Sequence, residues 1–143
     1  MGAEEEVELY GRRFTFRFTP RPELRRVEVE ILEGTGSTAR PYVRVAVRGR
    51  TTADARERAW EVLRARAGLD RYLRVVAQVV GTLAPGTGLS VREDAQTILV
   101  EVHGPRRLRV PLALRRQEAL DPERSEEDLA ALVRAHLEAH FEP

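Results

Sequence analysis

The hydrophobic period of this chain changes twice, and these changes restrict the folds that it can form. Apolar residues alternate with polar ones over residues 7–48, recur at helical spacing over 53–83, and alternate again over 89–115. Period two is typical of half-buried antiparallel strands, whereas a period near 3.6 is typical of helices with an apolar side. We therefore expect the order βββ-αα-βββ-α, an α+β fold with about six antiparallel strands and helices packed on one face.

The first alternating region predicts three strands, Val7–Thr19, Arg26–Glu33 and Tyr42–Arg48. Side chains two residues apart share a face of a strand, so one face should be apolar and the other charged. The inward positions are Phe14, Phe16, Phe18, Val27, Val29, Ile31, Val43, Val45 and Val47. The outward positions are Arg13, Arg17, Glu28, Glu30, Arg44 and Arg48. If the strands form a meander, the outer face carries neighbouring columns of positive, negative and positive charge, which stabilise a sheet.

Capping residues and glycines bound the predicted helices. Thr51 or Thr52 should cap a first helix that begins at Ala53 and stops at Gly68. A second helix is expected over 70–83, apolar around most of its circumference, with a narrow polar stripe at Arg71, Arg74 and Gln78. Three strands follow at 89–93, 97–102 and 107–115, and Ser125 should cap a last helix that extends to Phe141.

Composition favours one intracellular bacterial domain. A chain of 143 residues fits a single domain over 1–143 with a sizeable core. All 24 basic residues are arginine, and lysine, asparagine and cysteine are absent, which suggests a GC-rich and thermophilic host. The acidic N-terminus does not resemble a signal peptide, and the longest apolar-rich stretch, 69–83, is too short to span a bilayer, so we expect a cytoplasmic protein without a membrane partner.

The stretch RRFTFRF, residues 12–18, allows two interpretations. Aromatic and basic side chains on one strand can bind single-stranded nucleic acid. The three phenylalanines share one face, however, and burying each of them contributes about 1.5–3 kcal/mol, so we favour a place in the core. If a cavity instead lay between the sheet and the helix, the protein would be a carrier or an enzyme for an apolar small molecule. The side chains that would line such a cavity are Phe14, Phe16, Phe18, Trp60 and Tyr72.

Four arginine doublets are the candidate phosphate-binding residues. They are Arg12, Arg13, Arg25, Arg26, Arg106, Arg107, Arg115 and Arg116. All lie near predicted strand ends, where they could gather on one edge of the sheet. The net charge of +1 gives no general attraction to nucleic acid, so this function ranks below the others.

Metal, cofactor and catalytic signals are weak. His136 and His140 are four residues apart on the last helix, and with His103 they are the candidate metal ligands. The glycines of EGTGSTA, 33–39, precede a strand rather than a helix, so we expect no nucleotide cofactor. No arrangement of serine, histidine and acid indicates a nucleophile. We therefore expect a binding or regulatory domain rather than an enzyme, and a homodimer, since open antiparallel edges favour pairing.

Overall fold

A computed structural model describes residues 3–143, apart from the side chains of Arg44 and Val45. The predictions that Val45 points inward and Arg44 outward lie outside the described residues. The chain divides into two compact units, Met1–Ala67 and Gly68–Pro143. Each unit has a hydrophobic core of its own. The single domain over 1–143 stays a prediction.

The first unit contains a four-stranded antiparallel sheet, which we call sheet A, in the order β1-β2-β3-β4. Its strands are β1 (Ala3–Leu9), β2 (Arg12–Arg21), β3 (Arg26–Glu33) and β4 (Arg40–Gly49). The predicted first strand, 7–19, was wrong, because a tight turn at Tyr10 and Gly11 divides it into β1 and β2. Both turn residues have positive φ, 54° and 73°, as a two-residue hairpin of primed type requires.

A single helix, α1 (Thr52–Leu83), replaces the two helices predicted over 53–68 and 70–83. Thr51 Oγ1 accepts a hydrogen bond from the Asp54 amide at 3.1 Å, so Thr51 is the residue that caps it. Gly68 lies buried inside the helix and does not end it. The first half of α1 packs on the apolar face of sheet A through Ala55, Ala59 and Leu63, and its second half belongs to the core of the second unit.

The second unit packs a three-stranded antiparallel sheet, sheet B, with the end of α1 and a last helix. Its elements are β5 (Gly88–Glu93), β6 (Thr97–His103), β7 (Leu112–Arg115), α2 (Arg116–Ala119) and α3 (Glu126–His140). Ser125 caps α3 as predicted, since its Oγ accepts from the Asp128 amide at 3.1 Å. Val76 on α1, Val100 on β6 and Leu137 on α3 are fully buried in this core.

The region before β7 differs from its prediction. The strand expected over 107–115 begins only at Leu112. The residues before it pair instead with the end of the chain. The Arg109 amide donates to the main-chain carbonyl of His140, and the Glu142 amide donates to the main-chain carbonyl of Arg107. Arg71, predicted on a polar stripe, is only 5% exposed and donates to the carbonyl oxygens of Asp121 and Arg124. Residues 3–143 form seven strands rather than the predicted six. The predicted α+β class with antiparallel sheets is confirmed.

Candidate functional site

The phenylalanines of RRFTFRF fill the core of the first unit. Phe14 and Phe16 are fully buried and Phe18 is 6% exposed, which confirms that they point inward. The Phe16 ring stands edge-on to Trp60 with centroids 5.5 Å apart. Stacking on nucleic-acid bases needs exposed aromatic rings, so these buried phenylalanines are not a base-stacking surface.

The five predicted cavity-lining residues do not belong to one cluster. The three phenylalanines and Trp60 belong to the core of the first unit, whereas Tyr72 belongs to that of the second. Trp60 also borders an open depression of about 540 Å³, whose other lining includes the charged Arg56, Glu57 and Arg64. These five side chains therefore do not line one cavity that could bind an apolar ligand.

The arginine doublets lie at opposite ends of each sheet. In sheet A, Arg12 and Arg13 begin β2, whereas Arg25 and Arg26 lie beyond its other end, about 30 Å away at the usual rise of a strand. In sheet B, Arg115 pairs with Thr97 at the start of β6. The doublet at 106–107 follows the end of β6, about 20 Å away. Within each unit, then, the doublets do not gather at one edge.

One arginine of each doublet has a partner within its own unit. Arg12 Nε donates to Glu33 Oε2 at 2.9 Å, Arg26 pairs with Glu28 at 2.9 Å and Arg116 pairs with Glu93. Arg106 lies over the Phe141 ring at 4.2 Å from its centroid. The second members are exposed, and they are Arg13, Arg25, Arg107 and Arg115. Burial lowers the pKa of Arg12, but its hydrogen bond and ion pair with Glu33 outweigh this and raise the pKa overall.

The three predicted metal ligands do not come together: His136 and His140 lie side by side on α3, whereas His103 contacts a serine on a neighbouring strand. The rings of His136 and His140 are 4.5 Å apart, as their spacing predicts, and His136 Nε2 is 2.9 Å from the Val110 carbonyl oxygen. His103 Nε2 lies 2.6 Å from Ser90 Oγ on the neighbouring strand. Among residues 3–143, no three histidine, aspartate or glutamate side chains are grouped as metal ligands.

The outer face of sheet A carries a ladder of alternating charge, one sign on each strand. The predicted columns on β2, β3 and β4 are present, as far as their side chains are described, and β1 adds a negative column before them. Arg17 joins two of these columns, pairing with Glu4 at 3.0 Å and Glu30 at 3.7 Å. The columns are Glu4, Glu6 and Glu8 on β1, Arg13 and Arg17 on β2, Glu28 and Glu30 on β3, and Arg48 on β4.

The two edges of sheet A have opposite charge. The β1 strand, AEEEVEL, contains four glutamates and no basic residue, whereas the β4 strand, RPYVRVAVRG, contains three arginines and no acid. Within the described part of the chain, each of these strands has a strand neighbour on one side only. Sheet A therefore ends in an acidic edge and a basic edge. On the basic edge an added strand must displace the Arg58 side chain from the Arg48 carbonyl.

A groove of about 790 Å³ runs beside the basic edge, between β4 and the first half of α1. We call it the β4 groove, and it is lined by Ala46, Val47, Arg48, Asp54, Glu57, Arg58, Glu61 and Val62. Val47 and Val62 are half-buried and supply apolar surface. Arg58 Nη1 donates to the Arg48 carbonyl oxygen at 3.2 Å, so a side chain, not a strand, satisfies this main-chain group.

These features define the chain as an α+β protein that has two antiparallel sheets and an open, oppositely charged pair of edges on one of them. No protein family model, curated protein or solved structure matches the chain. Among the described residues, no helix has both the length and the apolar character that crossing a membrane requires.

Sequence reasoning missed β1 as a separate strand, and with it the acidic edge. The signal was present in the parity of the apolar residues. Val7 and Leu9 are odd-numbered, whereas Phe14 and Phe16 are even-numbered, and all four are buried on one face. Because one face of a regular strand keeps one parity, the change indicates a turn or a bulge between Leu9 and Phe14.

Proposed function

We propose that this protein is a non-catalytic binding module that accepts an extended segment of another polypeptide against β4. The single observation that carries the proposal is the open edge of β4 beside the β4 groove. Strand addition of this kind takes its affinity from main-chain hydrogen bonds and its specificity from alternate side chains that enter pockets.

The charge and polarity of the site indicate the chemistry of the incoming segment. Side chains directed to the groove meet Val47 and Val62 beside the charged Asp54, Glu57, Arg58 and Glu61, so apolar residues suit only the positions next to the two valines. Side chains directed to the outer face meet Arg48, which is 61% exposed, so acidic residues suit the alternate positions. An alternating apolar and acidic strand is therefore the preferred ligand.

A panel of synthetic ten-residue peptides tests this proposal. In each peptide valine alternates with glutamate, serine or arginine, and amide hydrogen exchange is measured along β4 of the full chain. We expect the valine–glutamate peptide to slow exchange in β4 most and the valine–arginine peptide least. A ten-residue polyproline is the control, since proline has no amide hydrogen to donate. If none of the three test peptides protects β4, the proposal is wrong.

We further propose a homodimer as the smallest assembly and the cytoplasm of a thermophilic, GC-rich bacterium as the setting. The use of arginine for every basic residue supports the host. The ion-pair network on sheet A supports a thermophilic host. The cost of desolvating charged groups falls as the temperature rises, so such networks stabilise a protein most at high temperature. Thermal unfolding well below the range of thermophilic proteins would contradict this setting, and fractionation of the producing cells would test the compartment.

A further inference from the structure

We infer that the strand accepted by β4 is β1 of a second copy, so that copies join head to tail through their oppositely charged edges. This inference rests on the proposed function of β4 as a strand-accepting edge. It adds the identity of the partner and the geometry of the joint.

The direction of the strands supports this joint. Each strand of sheet A is antiparallel to the next, in the order β1-β2-β3-β4. The first and fourth strands of such a meander therefore run in opposite directions. A second copy that continues the sheet in the same orientation places its β1 antiparallel to β4, so the antiparallel alternation is unbroken across the joint.

The charge ladder selects this joint over the other possible ones. The outer face reads negative, positive, negative and positive from β1 to β4. If β1 follows β4, the next column is negative and the alternation continues without any contact between like charges. A joint between two β1 strands or between two β4 strands would instead place like charges on neighbouring strands, which destabilises a sheet.

The exposed members of the two edges are the groups that meet at the joint. Glu6 and Glu8 on the outer face of β1 are exposed, and so is Arg48 on the outer face of β4. On the groove side the incoming strand carries Glu5 and Val7. Val7 is already buried in the core of its own unit, so the charged outer face rather than an apolar contact selects the joint. The contact is heterologous, because different surfaces of the two copies meet, so each added copy leaves one edge of each kind for the next.

Charge reversal on one edge at a time tests the inference. One variant carries Glu6→Arg and Glu8→Arg, and the other carries Arg48→Glu. The mass of each full-length protein is followed by sedimentation velocity as the concentration rises. We expect the unaltered chain to associate, and each variant alone to associate about tenfold more weakly, because the reversed side chains now face like charges across the joint.

Mixing the two variants provides the matched control. Each variant retains the edge that complements the other, so an equimolar mixture should recover association in alternating order. Circular dichroism and thermal unfolding of each variant establish that it is folded before its mass is interpreted. Recovery on mixing excludes loss of structure as the reason for weak association.

Three results would overturn the inference: a chain that stays monomeric at all concentrations, association that neither reversal weakens, and a mixture that does not recover it. Protection of β4 by peptides in a chain that stays monomeric would mean that the proposed function holds and the partner is another acidic strand. Absence of peptide protection would instead remove the proposed function itself.

Discussion

At the end of β4, Gly49 lies so close to the first turn of α1 that no side chain fits there. A Cβ atom at this position would lie 2.7 Å from the Cα of Ala55 and nearer still to its amide nitrogen. Both are main-chain atoms of a helix packed on the core, so they cannot move aside cheaply. This glycine is needed for a close approach of backbone rather than for a turn.

Substitution of Gly49 by alanine should therefore destabilise the protein by about 2–3 kcal/mol, measured by urea unfolding. Gly81 is the matched control, because a Cβ there meets nothing within 4 Å. Gly81 is exposed in the last turn of α1, so Gly81→Ala should stabilise by up to about 1 kcal/mol. Equal stability of the Gly49→Ala variant and the unaltered chain would contradict the close approach.

Tyr72 places a hydroxyl in the core of the second unit where no hydrogen-bond partner for it is found in the described residues. The residue is fully buried. An unsatisfied buried polar group costs about 1–3 kcal/mol. We expect Tyr72→Phe to raise the free energy of unfolding by about 1 kcal/mol, measured by denaturant unfolding at neutral pH.

The pH dependence of the same variant has a definite sign. Burial raises the pKa of the Tyr72 hydroxyl, so above about pH 10 the tyrosine ionises in the unfolded chain but not in the folded one. Ionisation then favours the unfolded state, and the advantage of Tyr72→Phe should widen as the pH rises above that value. A difference that stays constant from pH 7 to pH 11 would show that the hydroxyl is not buried.

At the scale of elements, the β5–β6 hairpin depends on one carboxylate. Asp94 Oδ1 accepts hydrogen bonds from the amides of Gln96 and Thr97, at 2.8 and 2.7 Å. These bonds lower the pKa of Asp94, because they favour its charged form. Such a carboxylate stabilises the fold above its unfolded pKa, about 3.9, and loses this contribution as the pH falls through the lower folded value.

Asp94→Ala should accordingly destabilise the protein at neutral pH and have a shrinking effect below about pH 3.9. The measurement is the difference in unfolding free energy between the two chains at pH 7 and at pH 3. Glu23→Ala is a suitable control, because Glu23 lies in an exposed turn of the first unit. An Asp94→Ala effect that is independent of pH would assign the loss to packing rather than to these hydrogen bonds.

The elements show where sequence patterns were sufficient and where they were not. Strand faces were predictable at Phe14 and Phe16, because parity alone decides which way a strand side chain points. The end of a helix at Gly68 was not, because glycine costs a helix only about 1 kcal/mol. The buried turns on both sides of Gly68 offset that cost, and they depend on contacts far along the chain.

The candidate site, too, was predictable from the sequence only in part. The charge columns of β2 and β3 could be read from the sequence, since neighbouring strands of a meander carry them. The acidic edge could not be predicted, because it belongs to β1, which the sequence pattern did not separate from β2. Nor could the β4 groove be predicted, because its lining combines β4 with α1 residues whose depth depends on how the helix packs.

For the whole molecule, the charge ladder predicts how association responds to salt. Charges at the joint attract over a screening length of about 10 Å at 0.1 M salt and about 3 Å at 1 M. We expect the dissociation constant measured by sedimentation to rise with sodium chloride concentration, while the helical content measured by circular dichroism stays unchanged. Association that strengthens with salt would indicate an apolar joint and contradict the pairing of charged edges.

The length of α1 has a consequence for the way the chain acquires its structure. At about 1.5 Å per residue, its 32 residues extend over about 48 Å. Starting a helix is the costly step and lengthening it is cheap. Residues up to 67 leave the ribosome first, so the helical turns stabilised on sheet A can serve as a template onto which the following residues add. The helix that packs in the core of the second unit is then an extension of one already formed, so the second unit does not need to nucleate it separately.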